Sequence, residues 1–425
     1  MDVTPAYPVW LDGMIRAHAS TGVHDHVYAK ALVLSAGSGP ENAFALLSLD
    51  VCGLSTPDHA MIRKTISEQN GIPYESVVIA ATHTHSGPAT VGFFGHQEKA
   101  YLKEMSEKAV LAVKNAVANL APAALGCGSG SESTISHYRR LLADDGRVVM
   151  NWEPWPQERI VRPLGVIDPE VGVLKISAEP SGKIMGLLFN HAGHPNVMSG
   201  DNYLISADYP GLTESLLEKK FGGTAVFMNG AQGTMDIDGL KDRDWSGMER
   251  VAGALAGAVA DTARNIKPAA VTTLRGKSCR YTVPARKISD KEMKWAEDIL
   301  KKTEGVVATA ADGVGDDYKA NLYRKLRKVQ DREIEIEQTC VAIDDCAFLS
   351  FPGELFTEIG MTIKAASPFR HTYIIGLANG DIGYVPTDKA ILEGGYESDT
   401  REVDAGAEEI IVERSLALLR NLKER

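Results

Sequence analysis

Short apolar runs recur along this chain, each followed by a polar, glycine-rich loop and often by a stretch with helical spacing. Residues 44–49 lead into Asp50, residues 77–81 into Thr82-His83-Thr84-His85, and residues 184–189 into Asn190-His191-Ala192-Gly193-His194-Pro195. Residues 225–228 run into Asn229-Gly230, with Gly233-Thr234-Met235-Asp236 just beyond, 346–351 into Pro352-Gly353-Glu354, and 373–377 into Ala378-Asn379-Gly380-Asp381. Apolar runs of about four to eight residues between turn signals read as buried strands. Helical spacing predicts helices over about 98–119, after Glu354 to about 366, and over 405–423, the last one amphipathic. Strands interleaved with helices predict a mixed α/β (layered α+β) fold, with mixed sheets flanked by helices in a single large domain. In such folds the ligand crevice lies beyond the strand ends, which is where His, Asp, Glu and Tyr collect here. Residues 285–335 read as two charged helices around a small Ala/Gly linker, a solvated hairpin insertion with a lid over the site as the other reading.

Composition narrows the partners. An apolar share of 44% in 425 residues supports a large core, and a net charge of −11 argues against nucleic acid or an anionic membrane. No apolar run reaches the length of a transmembrane helix. Met1 to Pro5 lacks the basic and apolar regions of a signal peptide, and five scattered cysteines form no Cys-x-x-Cys, so reduced thiols in the cytoplasm are expected. Gly-x-Ser-x-Gly, Walker and Gly-x-Gly-x-x-Gly patterns are missing, and the glycine cluster 126–130 reads as a strand-end turn. Assembly with copies of itself is left open by the sequence.

The chemistry starts at His83 and His85. In an extended chain residues two apart share a side, about 6.5 to 7 Å from each other, so two imidazoles at a strand's wet end can grip a divalent metal. His191 and His194 stand three apart, but Gly193 and Pro195 oppose a helix, and in a loop only one need face inward. His24-Asp25-His26 precedes an apolar run and reads as the start of a strand. Glu354, after Pro-Gly, is expected in the first turn of a helix, where the dipole favours a carboxylate. A hydrolytic metal centre uses three or four N/O ligands and an open position. Histidine and carboxylate are the donors on offer, which suits Zn²⁺ and leaves iron or manganese open.

Thr82-His83-Thr84-His85-Ser86-Gly87-Pro88, Pro352-Gly353-Glu354, and Tyr384 with Tyr396 resemble the neutral/alkaline ceramidases, from about Gly22 to Tyr396. The resemblance implies the catalytic domain of enzymes that use one zinc to cleave the amide of ceramide. It implies metal ligands His83, His194, Glu354 and Tyr384, with His85 facing the substrate, Tyr396 at the reacting carbonyl, and Arg139 rather than Arg140 turned inward. The chain departs from the family at Asp236, which stands where a serine is expected and could act as general base. The immunoglobulin-like C-terminal domain and secretion signal of ceramide-cleaving members are also not visible. The leading expectation is therefore a zinc-dependent hydrolase of an amide, on a small-molecule or lipid substrate, in which Asp236 or His85 relays the proton. The alternatives are hydrolysis of a small polar compound such as a sugar lactone or ester, and a metal-binding homologue without catalysis.

Overall fold

The computed structural model, which describes residues 1–37, 39–237 and 242–424, builds its layers on three sheets. The first holds β1 (Ala29–Ser35), β2 (Ala43–Leu49) and β3 (Val77–Ala81), side by side in that order. The second holds β4 (Ala123–Ser131), β5 (Glu170–Ala178), β6 (Ile184–His191) and β7 (Thr224–Asn229), ordered β7-β6-β5-β4. The third runs β8 (Leu274–Pro284), β9 (Glu333–Ile343), β10 (Cys346–Ser350) and β11 (His371–Ile375). The pairs β2–β3, β6–β7 and β10–β11 are parallel and the remaining pairs in these sheets antiparallel.

A parallel pair cannot be closed by a hairpin, so each is bridged by a helix. α1 (Thr56–Asn70) connects β2 to β3, α3 (Asp208–Phe221) connects β6 to β7, and α7 (Thr357–Ala366) connects β10 to β11; α2 (Lys99–Ala118) follows β3. Three βαβ units thus send their carboxyl ends toward one region of the molecule. α4 (Trp245–Asn265) covers the second sheet, and α8 (Ala407–Lys423) the third.

Period-two alternation explains why these strands are continuous apolar runs. Val77, Ile79 and Ala81 of β3 join a core with α1 and α2, while Val78 and Ala80 face a core shared by all three sheets. In β7, Ala225 and Phe227 pack with α3 and α4, and Val226 and Met228 enter the shared core. In β10, Ala347 and Leu349 meet α7 and α8, while Cys346 and Phe348 point inward. The result is the expected mixed α/β layering in one large domain.

The glycine cluster is a correction. Gly126, Gly128 and Gly130 do not form a strand-end turn but lie inside β4, under α4. A β-carbon would stand 2.7 Å from Ile266 at Gly126, 2.9 Å from Ile266 at Gly128, and 2.0 Å from Thr262 at Gly130. Close passage of a helix over a strand, not a turn, requires them. The 285–335 segment is inserted in the connection between the antiparallel neighbours β8 and β9. It forms α5 (Asp290–Thr303), with a Ser289/Glu292 capping box, and α6 (Asp316–Arg327). The two share a small core that includes Ala296, Ala320, Leu322 and Leu326.

His59 on α1 carries a pH prediction. It is 1% exposed, neither ring nitrogen has a hydrogen-bond partner among the described residues, and burial, reinforced by Arg63, pulls its pKa down to about 3. The fold thus favours neutral His59, while the unfolded chain takes up its proton below about pH 6.5. Stability from this group is present above that pH and lost as pH falls toward 3. Between pH 7 and pH 5 it amounts to about 2 kcal/mol. Urea unfolding of wild type and His59→Met at both pH values checks this: the variant should lose less stability on acidification by about that amount.

Candidate metal centre

The carboxyl ends of the three βαβ units meet in one buried cluster. His83 follows β3, His194 follows β6, and Glu354 follows β10. Glu354 Oε2 lies 3.0 Å from His194 Nε2 and 3.4 Å from His83 Nε2. His85 Nε2 lies 3.3 Å from His83 Nε2, and Tyr384 Oη lies 3.5 Å from His194 Nε2. Arg139 Nη1 donates to His194 Nε2 at 3.0 Å.

Two placements differ from the expectation. β3 stops at Ala81, and His83 adopts a left-handed φ of 74°, so the two imidazoles meet through a turn rather than along an extended strand. A non-glycine residue held there stores strain that surrounding contacts must offset. His83 N donates to Val51 O at 3.0 Å and His85 N to Pro195 O at 2.9 Å, which fix the turn on both sides. Glu354 is also not in a helix. It sits on a two-residue strand, Glu354–Leu355, whose parallel partner Tyr384–Val385 puts Tyr384 in register beside it. The left-handed Gly353, and a Glu354 N–H taken by Gly383 O at 2.9 Å, hold the backbone extended until α7 begins at Thr357.

The hydrogen bonds assign the protons. His83 Nδ1 lies 2.6 Å from Cys52 O and His194 Nδ1 lies 2.9 Å from Met235 O. A carbonyl only accepts, so both Nδ1 atoms carry a hydrogen and both Nε2 atoms turn inward. Burial, with Arg139 next to it, lowers the His194 pKa, so its Nε2 presents a lone pair. Burial alone would raise the Glu354 carboxyl, but His83 and His194 hold it well below the carboxylate range. A lone pair and a carboxylate oxygen thus face each other. Burial would lower His83, but Cys52 and Glu354 outweigh it and drive it well above the usual imidazole value. The cluster calls for a positive charge among its donors, and a divalent cation fits that demand with ordinary nitrogen and oxygen ligands. His83, His194 and Glu354 form one group able to hold a metal, and Cys52, His83 and His85 a second, overlapping one.

Around this centre His85 is held neutral by burial first, then by His83 and His194, and its Nδ1 has no protein partner. Burial raises the Tyr384 and Tyr396 phenols, opposed in both by Arg139. Tyr396 stands one ring farther out, 5.6 Å from Tyr384 between ring centres. Asp236 is fully buried on the strand Met235–Ile237. Its Oδ1 accepts from Ile237 N at 3.1 Å, its Oδ2 has no hydrogen-bond partner among the described residues, and its charge acts on Arg139. The structure therefore brings His83, His85, His194, Glu354, Tyr384 and Arg139 into direct contact, with Tyr396 and Asp236 at the rim.

His191 faces away, with Nδ1 on Glu170 O at 3.0 Å and Nε2 on Ser136 Oγ at 3.2 Å. Asp25, between its histidines, accepts from Ser206 Oγ and Ala207 N, and His24 stacks on Trp245. Three supporting residues were not foreseen. Glu397 binds both Arg139 Nε at 2.7 Å and Arg140 Nη1 at 3.1 Å. Asn229 donates to Thr82 O and Gly193 O, tying the two histidine loops together, and Arg16 donates to His85 O at 2.7 Å. Asn229 closes an apolar run as the ligand loops do, which was an available signal; Arg16 and Glu397 had none.

The family model for the N-terminal part of neutral/alkaline non-lysosomal ceramidases matches residues 9–307. A neutral ceramidase of Pseudomonas aeruginosa is 26% identical over 221 residues, which cover 49% of this chain and 31% of that protein's length. The crystal structure of neutral ceramidase from Pseudomonas aeruginosa superposes with a TM-score of 0.74 at 18% identity, over 99% of this chain and 74% of that one. A ceramidase complexed with C2 gives 0.73 at 19% identity, with the same coverage. At these identities the structural likeness establishes the fold.

Proposed function

The chain belongs to the neutral/alkaline non-lysosomal ceramidase family, and from that premise we propose that it is a zinc-dependent hydrolase of N-acyl amides. The observation that carries this reading is the convergence of His83 Nε2, His194 Nε2 and Glu354 Oε2 in one buried cluster, with both imidazoles anchored through Nδ1 on backbone carbonyls so that their Nε2 atoms turn inward. Tyr384 Oη, 3.5 Å from His194 Nε2, is the fourth donor. A zinc ion held there would polarise the amide carbonyl and make a water acidic enough to attack near neutral pH.

The chain's own groups then divide the remaining work. Arg139 stays cationic because Tyr384, Glu397, Asp236 and Glu354 together outweigh the cost of burying it. Its guanidinium and the Tyr396 hydroxyl are the donors available to the tetrahedral oxyanion, the interaction that usually contributes most to such catalysis. Neutral His85 accepts the proton released by the attacking water and returns it to the departing nitrogen. Asp236, whose charge acts on Arg139, is the other group able to take that proton, standing where related enzymes are expected to have serine.

No helix among the described residues is long and apolar enough to cross a membrane. We place the reaction in the cytoplasm on the strength of five scattered cysteines without a Cys-x-x-Cys pattern and a net charge of −11. Elemental analysis of purified protein, paired with hydrolysis of a fluorogenic N-acyl amide, tests the reading. About one equivalent of zinc is expected, along with loss of activity in a chelator and its return on adding zinc. Activity that survives complete removal of transition metals would sink it.

A further inference from the structure

Beside the metal centre lies an open cleft of about 780 Å³ whose walls come from three segments: residues 146–154, the stretch from the α5–α6 connection into α6, and residues 393–399. Tyr396 belongs to both the cleft and the site, since its ring also stands against Tyr384. Trp152 meets Tyr396 edge to face, 5.2 Å between ring centres and 88° between planes, making an aromatic corner. Arg139 backs that corner, its guanidinium carbon 5.3 Å from the Trp152 ring and its buried Nη2 without a protein partner.

The remaining lining is hydrophilic. The carboxylates of Glu153, Asp312, Glu393 and Asp399 outnumber the cations of Arg147 and Lys319. Asp312 is paired with Arg243, Asp399 with Lys319 and Glu393 with Arg140, whereas Glu153 has no ion pair among the described residues. Aliphatic side chains at the wall are limited to Val148, Pro154, Ala311 and Val314. A long hydrocarbon tail would desolvate these charged groups and leave Glu153 buried without a partner, at a cost its own burial does not offset. Flat rings bordered by carboxylates and ammonium groups suit a compact, hydroxylated ligand whose C–H faces stack on the aromatics.

The geometry points to this cleft as the subsite for the amine half of the substrate, and to a hydroxylated amine of the amino-sugar class as that half. This rests on the amide-hydrolase reading above. In the reaction the water oxygen forms the new bond to the acyl carbon and the C–N bond breaks. One water proton goes to the nitrogen, giving a carboxylic acid and a free amine. At neutral pH the amine leaves as an ammonium, which the carboxylate of Glu153 favours.

The experiment has two arms, both on the full chain. In the first, kcat/KM is measured on the zinc-loaded protein for N-hexanoylglucosamine and for N-hexanoylsphingosine. A ratio above one, falling at least five-fold in Glu153→Gln, supports the proposal; a ratio below one, or one that Glu153→Gln does not change, overturns it. In the second, glucosamine alone is titrated into metal-free protein while tryptophan emission is followed. Quenching that is lost in Trp152→Phe and weakened at least five-fold in Glu153→Gln is expected, and its absence overturns the subsite. If neither amide is cleaved, the hydrolase reading fails, and the emission titration alone decides the cleft.

Discussion

Glu354→Gln is expected to lose bound zinc and to reduce kcat/KM by about a thousand-fold or more, roughly 4 kcal/mol of transition-state stabilisation. The substitution keeps the shape of the side chain but removes the only formal negative charge among the described residues within contact of both inward-facing imidazoles. His83 then loses the carboxylate that holds its proton, and a divalent cation loses the ligand that offsets its charge. The fold should tolerate the change, because the Glu354 backbone is fixed by Gly383 O and by the ladder with Tyr384–Val385 rather than by the carboxylate. Metal content by mass spectrometry, alongside kinetics and a thermal melt, checks all three points. A variant that keeps a full equivalent of zinc and wild-type turnover would refute the assignment of Glu354.

The second large effect concerns stability. Glu397→Ala is expected to destabilise the protein by about 3–5 kcal/mol, the usual cost of breaking a buried ion pair from one side. Arg139 and Arg140 are 2% and 0% exposed, and Glu397 pairs with both from a position that is itself 0% exposed. Removing it leaves Arg140 with only the rim carboxylate Glu393 and lets Arg139 swing toward Asp236. Activity should therefore fall further than the folded fraction does, since Arg139 no longer points at the reacting carbonyl. Combining Glu397→Leu with Arg140→Met should recover only the Arg140 share of the stability, because a hydrophobic replacement of a buried pair is often close to neutral whereas Arg139 stays without its carboxylate. Denaturant midpoints of the single and double variants, with residual activity measured below the transition, separate the two effects.

The layering could be read in the sequence because strands buried on both faces are written as unbroken apolar runs. The helices at 98–119 and 405–423 came within two residues of Lys99–Ala118 and Ala407–Lys423, since amphipathic spacing and glycine boundaries are local signals. What failed was local geometry imposed from a distance. His83 was expected to continue β3, but its backbone is turned left-handed by hydrogen bonds to Val51 and, through His85, to Pro195. Glu354 was assigned to a helix that starts three residues later, because its pairing partner Tyr384 lies thirty residues downstream. The choice between His191 and His194 could not be made from spacing, since what separates them is which carbonyl each Nδ1 meets. Glu397 was invisible for the same reason: its meaning depends on two arginines more than 250 residues away.

Because α5 and α6 leave and re-enter the third sheet at adjacent strands, their tips can change length or composition without moving any ligand-bearing loop. Ala311, Asp312 and Lys319 belong to that appendage, while His83, His194 and Glu354 belong to the frame. Natural variation could therefore retune what is accepted while the bond-breaking apparatus stays constant. Transplanting residues 285–332 between relatives should carry selectivity with it, leaving zinc affinity where it was.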